Sequence, residues 1–244
     1  MRASGAGPED TSATRAPISP APAPVPDPDP ALVHAWLAGR SLARGLPAPV
    51  ADSGGWRVDT NGDTELRRYV FARAGEGLTR LAATIDQPRI FVKLCADADT
   101  LRALLPPGWA ITDATRMMSS DATPPPLALP PGYALAIDTH GGVTHVSIAT
   151  DRGEPAASGY AAEQGGVFVY DRIVVEEPHR RHGLGRALMA ALGAARQDPA
   201  AQQILTATDM GAALYTLLGW RVYAPVRPLH HGGTSLNPPR SGKD

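Results

Sequence analysis

The sequence predicts an α/β fold of the mixed-sheet, α+β kind, and three observations carry that expectation. Strand-like and helix-like stretches alternate from Trp56 to Met118. Three strand-like runs then follow between Tyr133 and Ala162, separated by His140-Gly-Gly and Asp151-Arg-Gly, as antiparallel hairpins require. Last, the apolar run Val167-Phe-Val-Tyr-Asp-Arg-Ile-Val-Val175 leads through Glu-Glu-Pro-His and Arg180-Arg-His-Gly-Leu-Gly-Arg186 into an amphipathic helix, and strand, helix and strand follow.

Residues 1–28 belong to a stretch of eight prolines within the first 30 residues, set among Ala, Ser, Thr and Asp with almost nothing large to bury. A disordered, polyproline-like tail is expected there. Structure begins at Asp29, a good N-cap, with Pro30 in the first turn and Leu32, Val33, Trp36 and Leu37 on one face of a helix that stops near Gly45.

The N-terminal α/β lobe, residues 29–120, continues with a strand at 68–72, a helix at 77–84, a strand at 89–94 and a helix at 98–105 ended by Pro106-Pro107. Pro124-Pro-Pro and Pro130-Pro131 mark a connector, since consecutive prolines continue neither a helix nor a central strand. The second domain, 130–226, holds strands at 133–137, 143–150, 155–162 and 167–175. Its helix carries Leu184, Leu188, Ala191, Leu192 and Ala195 on one face and ends by Pro199. A strand at 204–208, a helix at 210–218 stopped by Gly219 and a strand at 220–226 complete it, and residues 227–244 read as a flexible tail.

The chain is 43% hydrophobic with a formal net charge of −1, so nothing in it resembles the global basic field that drives nucleic-acid binding. A single cysteine, Cys95, rules out an internal disulfide framework or a thiolate zinc finger and suits a reducing cytoplasm. No apolar run reaches the roughly 18 residues of a membrane span. His230-His231 stand in a Gly/Pro-rich tail without a supporting carboxylate, so they are expected to be solvent-exposed and no metal is expected.

The turn at Arg180–Arg186 reads as a phosphate cradle. Gly183 and Gly185 allow a tight turn and close approach of a ligand, and the helix starting there presents unpaired N–H groups and a positive dipole end. Arg180, Arg181, His182 and Arg186 add donors suited to a pyrophosphate. A dinucleotide fingerprint needs a third glycine where Leu188 stands. Neither a Gly-Lys-Ser/Thr nucleotide loop nor a Gly-x-Ser-x-Gly elbow is present.

Two motifs in order, Arg180-x-x-Gly183-x-Gly185 after Ile173-Val-Val175 and Ala212-Ala-Leu-Tyr215-Thr-Leu-Leu-Gly-Trp220, resemble the GCN5-related N-acetyltransferases over about residues 132–226. The resemblance implies the fold of that superfamily, with acetyl-CoA as cosubstrate. Its pyrophosphate would lie on Arg180, Arg181, His182, Gly183, Leu184, Gly185 and Arg186, and its pantetheine arm along Ile173, Val174 and Val175. It implies transfer of an acetyl group to a primary amine of a small molecule or peptide by direct attack in a ternary complex. A catalytically weak, coenzyme-binding sensor or interaction module is the alternative.

Three departures stand out. The usual proline falls one place late, in Glu176-Glu177-Pro178; Thr208 stands where Asn is common; and no helix pair separates Tyr133 from Thr150. The last implies that the N-terminal lobe supplies the acceptor wall.

For the chemistry, Tyr215 is the candidate proton donor to the departing thiolate, against a purely packing role. A backbone N–H near Val174 or Val175 is the candidate oxyanion donor. Asp171, in phase with Val169, Ile173 and Val175, is a candidate base whose basicity desolvation would raise. Glu176, Glu163 and an ordered water stay open beside it.

Overall fold

A computed structural model of the chain describes residues 28–112, 114–122 and 128–231. The proline-rich tail up to residue 27, the Pro124 triplet and the residues after 231 lie outside the described residues. Helix α1, Pro30–Ala43, starts as expected: the Asp29 carboxylate accepts from the Ala31 amide at 2.9 Å, and Pro30 occupies the first turn. Strands β1 (Val50–Asp52) and β2 (Gly55–Asp59) form a hairpin beside β3 (Arg67–Phe71). Helix α2 (Glu76–Thr84) then crosses over to β4 (Ile90–Leu94), which lies parallel to β3. Helix α3 (Ala98–Leu104) and strands β5 (Trp109–Ile111) and β6 (Thr115–Ser120) complete the first half.

The second half opens with three antiparallel strands, β7 (Tyr133–His140), β8 (Val143–Thr150) and β9 (Pro155–Gln164). Next come β10 (Val167–Val175), helix α4 (Leu184–Ala194), β11 (Gln202–Ala207), helix α5 (Asp209–Leu217) and β12 (Arg221–His231). Both halves share one sheet of strand order β1-β2-β3-β4-β12-β6-β11-β10-β9-β8-β7, with β5 also paired to β12. The join is made by exchange. Strand β6 of the first half sits between β11 and β12, while the far end of β12 reaches back to pair with β4 and β5.

Strand β12 therefore corrects the expected tail. Its last residues, Arg227–His231, are ladder residues, and His230 is buried rather than solvent-exposed. His231 meets the Trp109 ring edge-on. Pro228 interrupts the apolar pattern and hides this strand in the sequence; it pairs with Lys93, and its carbonyl accepts from the Thr112 amide at 3.0 Å.

Side-chain alternation sorts the core into two faces. Val70, Met117, Val167, Val169, Ile204 and Ala224 point to one face, under Val33, Trp36 and Leu37 of α1. Tyr69, Phe71, Val92 and Leu94 point to the other, under α2 and α3, and Phe168, Tyr170, Met118 and Leu205 do so under α4 and α5. Helix α1 thus lies across the middle of one face, and the other helices cover the two ends of the opposite face. A Cβ on Gly39 would come within 2.6 Å of Val169 Cγ2, so this glycine is what lets α1 press onto β10. Among the described residues no helix is long and apolar enough to cross a membrane.

Candidate functional site

Strand β10 pairs with β11 in parallel only over Val167–Tyr170 against Gln202–Leu205. Immediately afterwards the β9–β10 register slips between Asp171 and Val174, and Arg172 takes a left-handed φ of 52°. This is a β-bulge, and it bends β10 away from β11. A buried network fixes the point of divergence. The Tyr170 hydroxyl donates to Gln203 Oε1 at 2.6 Å, and Gln203 Nε2 donates to the Ala122 carbonyl at 2.6 Å.

Between the splayed strands lies a cleft of about 670 Å³. One wall is Ile173, Val174 and Val175; the other is Thr208, Met210, Gly211, Leu214 and Tyr215 at the start and inner face of α5. At its remaining side stand Arg180, Arg181, Gly183, Leu184, Gly185 and Arg186, the turn into α4. Sequence reasoning missed Thr208, Met210, Gly211 and Leu214 as wall residues. Their signal was the N-terminal turn of a helix facing the splay. Thr208 caps that helix, its Oγ1 accepting from the Gly211 amide at 3.3 Å.

The basic turn is built by backbone geometry. A short 3-10 turn, Glu177–His179, takes the chain off β10, and Arg180 Nε returns to the Val175 carbonyl at 3.2 Å. Arg181 and Gly183 are both left-handed, with φ of 64° and 82°, and Gly183 is the N-cap of α4. A Cβ on Gly185 would lie 3.4 Å from Leu214 Cδ2 and 3.6 Å from Val175 Cγ2, so any longer side chain enters the space between the two walls. Leu184 is fully buried and anchors the turn to the core. His182 stands outside the lining, its ring 6.4 Å from that of Tyr133, whose hydroxyl bonds His179 Nδ1 at 3.1 Å.

Asp171 is where the structure departs furthest from expectation. The bulge reverses the side-chain phase: Ile173 and Val175 pack with the α4 core, while Asp171 stays on the α1 face with Val169. There Arg44 holds it through Nε at 2.5 Å and Nη2 at 3.0 Å, with Arg172 Nε at 3.7 Å and Arg40 Nε at 4.0 Å. Burial pushes the Asp171 carboxyl up, but the Arg44 hydrogen bonds and the charges of Arg40, Arg44 and Arg172 outweigh it, leaving it below the usual carboxylate range. Desolvation alone had suggested the opposite, because the arginines of α1 are distant in sequence.

Glu176 is exposed one residue beyond Val175, its amide donating to the Ala156 carbonyl at 2.9 Å. Glu163 sits at the opposite end of the strand pair and accepts from the amides of Gln197 and Asp198, a structural task away from the cleft. Tyr215 is both core and wall. It is buried, its ring lies 6.0 Å from Trp220, and burial pushes its hydroxyl up to about 12.

Residues 142–222 match the sequence family described as the acetyltransferase (GNAT) domain. The likeness to that family is confined to this stretch, about a third of the chain. The matched stretch takes in β8 to the first residues of β12, and so both walls of the cleft and the basic turn between them. Three solved structures share this fold. A GCN5-related N-acetyltransferase from Kribbella flavida superposes with a TM-score of 0.62 at 20% identity, over 85% of this chain and 96% of the other. One from Sphaerobacter thermophilus gives 0.50 at 15% identity, over 72% and 76%. A tandem GNAT protein from the clavulanic acid biosynthesis pathway gives 0.50 at 15% identity, over 74% and 79%. No curated protein matches the chain. The first of these structural likenesses extends well beyond the matched domain, so the N-terminal half also belongs to a shared architecture.

Proposed function

We propose that the protein transfers the acetyl group of acetyl-CoA to a primary amine of a small molecule or peptide, by direct attack in a ternary complex. The observation that carries this reading is the splay of β10 from β11, whose cleft joins an arginine-lined helix start to a narrow apolar slot. The fit is chemical at each part. Arg180, Arg181 and Arg186, with the first amides of α4, suit a diphosphate. Ile173, Val175, Leu214 and Met210 suit a thin, mostly apolar arm.

In the reaction the amine nitrogen forms its bond to the thioester carbon as the carbon–sulfur bond breaks, and the thiolate leaves with the electron pair. Strand β10 has lost its β11 partner by Val174, so an amide at this edge serves the carbonyl oxygen. Tyr215 stays protonated at neutral pH. An ordinary thiol titrates near 8.5, so complete proton transfer from a hydroxyl at about 12 is uphill by roughly 5 kcal/mol. Tyr215 therefore acts as a hydrogen-bond donor to the developing thiolate. With Asp171 engaged by Arg44, the amine proton passes to Glu176 or to water. A cytoplasmic setting, where acetyl-CoA is present, suits this reading.

That same engagement of Asp171 favours a second reading, a coenzyme-binding module that turns over weakly or not at all. Calorimetry with acetyl-CoA and a thiol-release screen over amine classes separate the two. Binding with thiol release supports the transferase, and binding without release supports the sensor. Absence of binding disposes of both.

A further inference from the structure

On the α1 face, at the level of the bulge, the structure gathers basic side chains from four elements. Arg40 and Arg44 come from the end of α1, Arg68 from β3, Lys93 from β4 and Arg172 from β10, and the carboxylates of Asp171 and Glu65 oppose them. Arg40 and Arg68 are more than nine-tenths buried, with 9% and 6% of their surface exposed. Arg44 takes both oxygens of Asp171, and Arg68 Nη2 donates to Glu65 Oε2 at 2.5 Å. Asp171 is thus fully committed and Glu65 is committed through one oxygen. Nε and Nη1 of Arg40 and Nε of Arg68 remain buried without a hydrogen-bond partner, against one buried acceptor in the same state among the described residues, Glu65 Oε1.

Buried guanidinium N–H groups without an acceptor are costly, and the surroundings register that cost. Burial, then Arg68, brings the Arg40 guanidinium down to about 9, and burial, then Arg40 and Arg68, hold the Lys93 ammonium well below its usual range. The cluster opens to solvent at Arg44 and Arg172, whose side chains are 29% and 38% exposed. Arg172 is itself steadied over the Tyr160 ring at 3.6 Å and by the Ala43 carbonyl. Asp171 is three residues from Val174 of the cleft wall, about 10 Å along the strand.

We propose that this cluster is the acceptor subsite, and that it selects amines carrying an anionic group, a carboxylate or a phosphate, which pairs with Arg40 and Arg68 while the amine reaches the cleft. The inference rests on the transferase reading for its catalytic meaning, but anion binding stands by itself and can be tested without turnover. Thiol release is measured with matched amine pairs, glycine against glycinamide and phosphoethanolamine against ethanolamine. The expected result is that at least one anionic member exceeds its neutral partner tenfold or more in kcat/KM. The two pairs tell carboxylate from phosphate, and the preference collapses towards unity in Arg40→Met and Arg68→Met. Circular dichroism and acetyl-CoA calorimetry show whether those variants are folded. In parallel, melting is followed with inorganic phosphate and with succinate at constant ionic strength. Stabilisation kept in Arg186→Ala but lost in Arg40→Met supports the site even when no amine reacts. Neutral amines equal to or better than anionic ones overturn the acceptor assignment, and anion stabilisation that survives in Arg40→Met or is absent from the wild type overturns the site.

Discussion

Two arginine clusters of this protein lie on either side of the same β-bulge and differ in almost every physical respect. Arg180, Arg181 and Arg186 are exposed, within seven residues of sequence and aimed into a cleft by a left-handed turn. Arg40, Arg44 and Arg68 are drawn from α1 and β3, are buried or half-buried, and are gathered around Asp171 and Glu65. The exposed set is hydrated and contributes little to stability; its worth lies in what it binds. The buried set is tied to the docking of α1 on β10, so charge and fold are coupled there, on the face proposed for the acceptor.

The widest test of that contrast is Arg44→Met, which leaves the buried Asp171 with weaker partners. It should cost about 3 kcal/mol in chemical denaturation, whereas Arg186→Ala should leave the midpoint unchanged. The pH dependence carries the same signature. Asp171 titrates below its unfolded value of about 3.9, so its contribution is complete above that pH and fades as pH falls through the folded value. Wild type should therefore lose more stability than Arg44→Met on acidification below about pH 4, and parallel curves would remove Asp171 from the account.

Next in size is Gly185→Leu, whose side chain would fill the gap between Leu214 and Val175. Acetyl-CoA affinity should fall about a hundredfold by calorimetry, from steric exclusion comparable to overpacking in a core. Arg186→Ala should weaken the same binding about tenfold at low salt and much less at 0.5 M, because the lost interaction is screened. Equal losses at both salt concentrations would mean the arginine is not on a solvated phosphate. The smallest effect belongs to Tyr215→Phe. A donor hydrogen bond to a thiolate, without net transfer, predicts a three- to tenfold lower kcat and an unchanged Kd for acetyl-CoA.

Legibility in the sequence followed locality. The N-cap of α1, the βαβ crossover through α2, the hairpins β7–β9 and the turn into α4 each depend on residues within a few positions of one another, and each was readable. Four short strands, β1, β2, β5 and β6, were not assigned from sequence. Their pairing partners are remote, as when β6 threads between β11 and β12. The bulge at Arg172 was invisible for a related reason. The run Val167–Val175 alternates without a glycine or proline to mark a slip, so Asp171 seemed to share a face with Ile173.

The sequence by itself determined the local chemistry: a strand, a glycine-bearing basic turn, a helix, and a tyrosine on the helix that follows. Short-range sterics and periodicity are sufficient for that. Only the tertiary structure decided which face each charge occupies. A one-residue bulge inverts the side-chain phase of β10, and Gly39 lets α1 descend onto that strand, so the partners of Asp171 and the orphaned N–H groups of Arg40 and Arg68 arise from contacts between segments far apart in the chain.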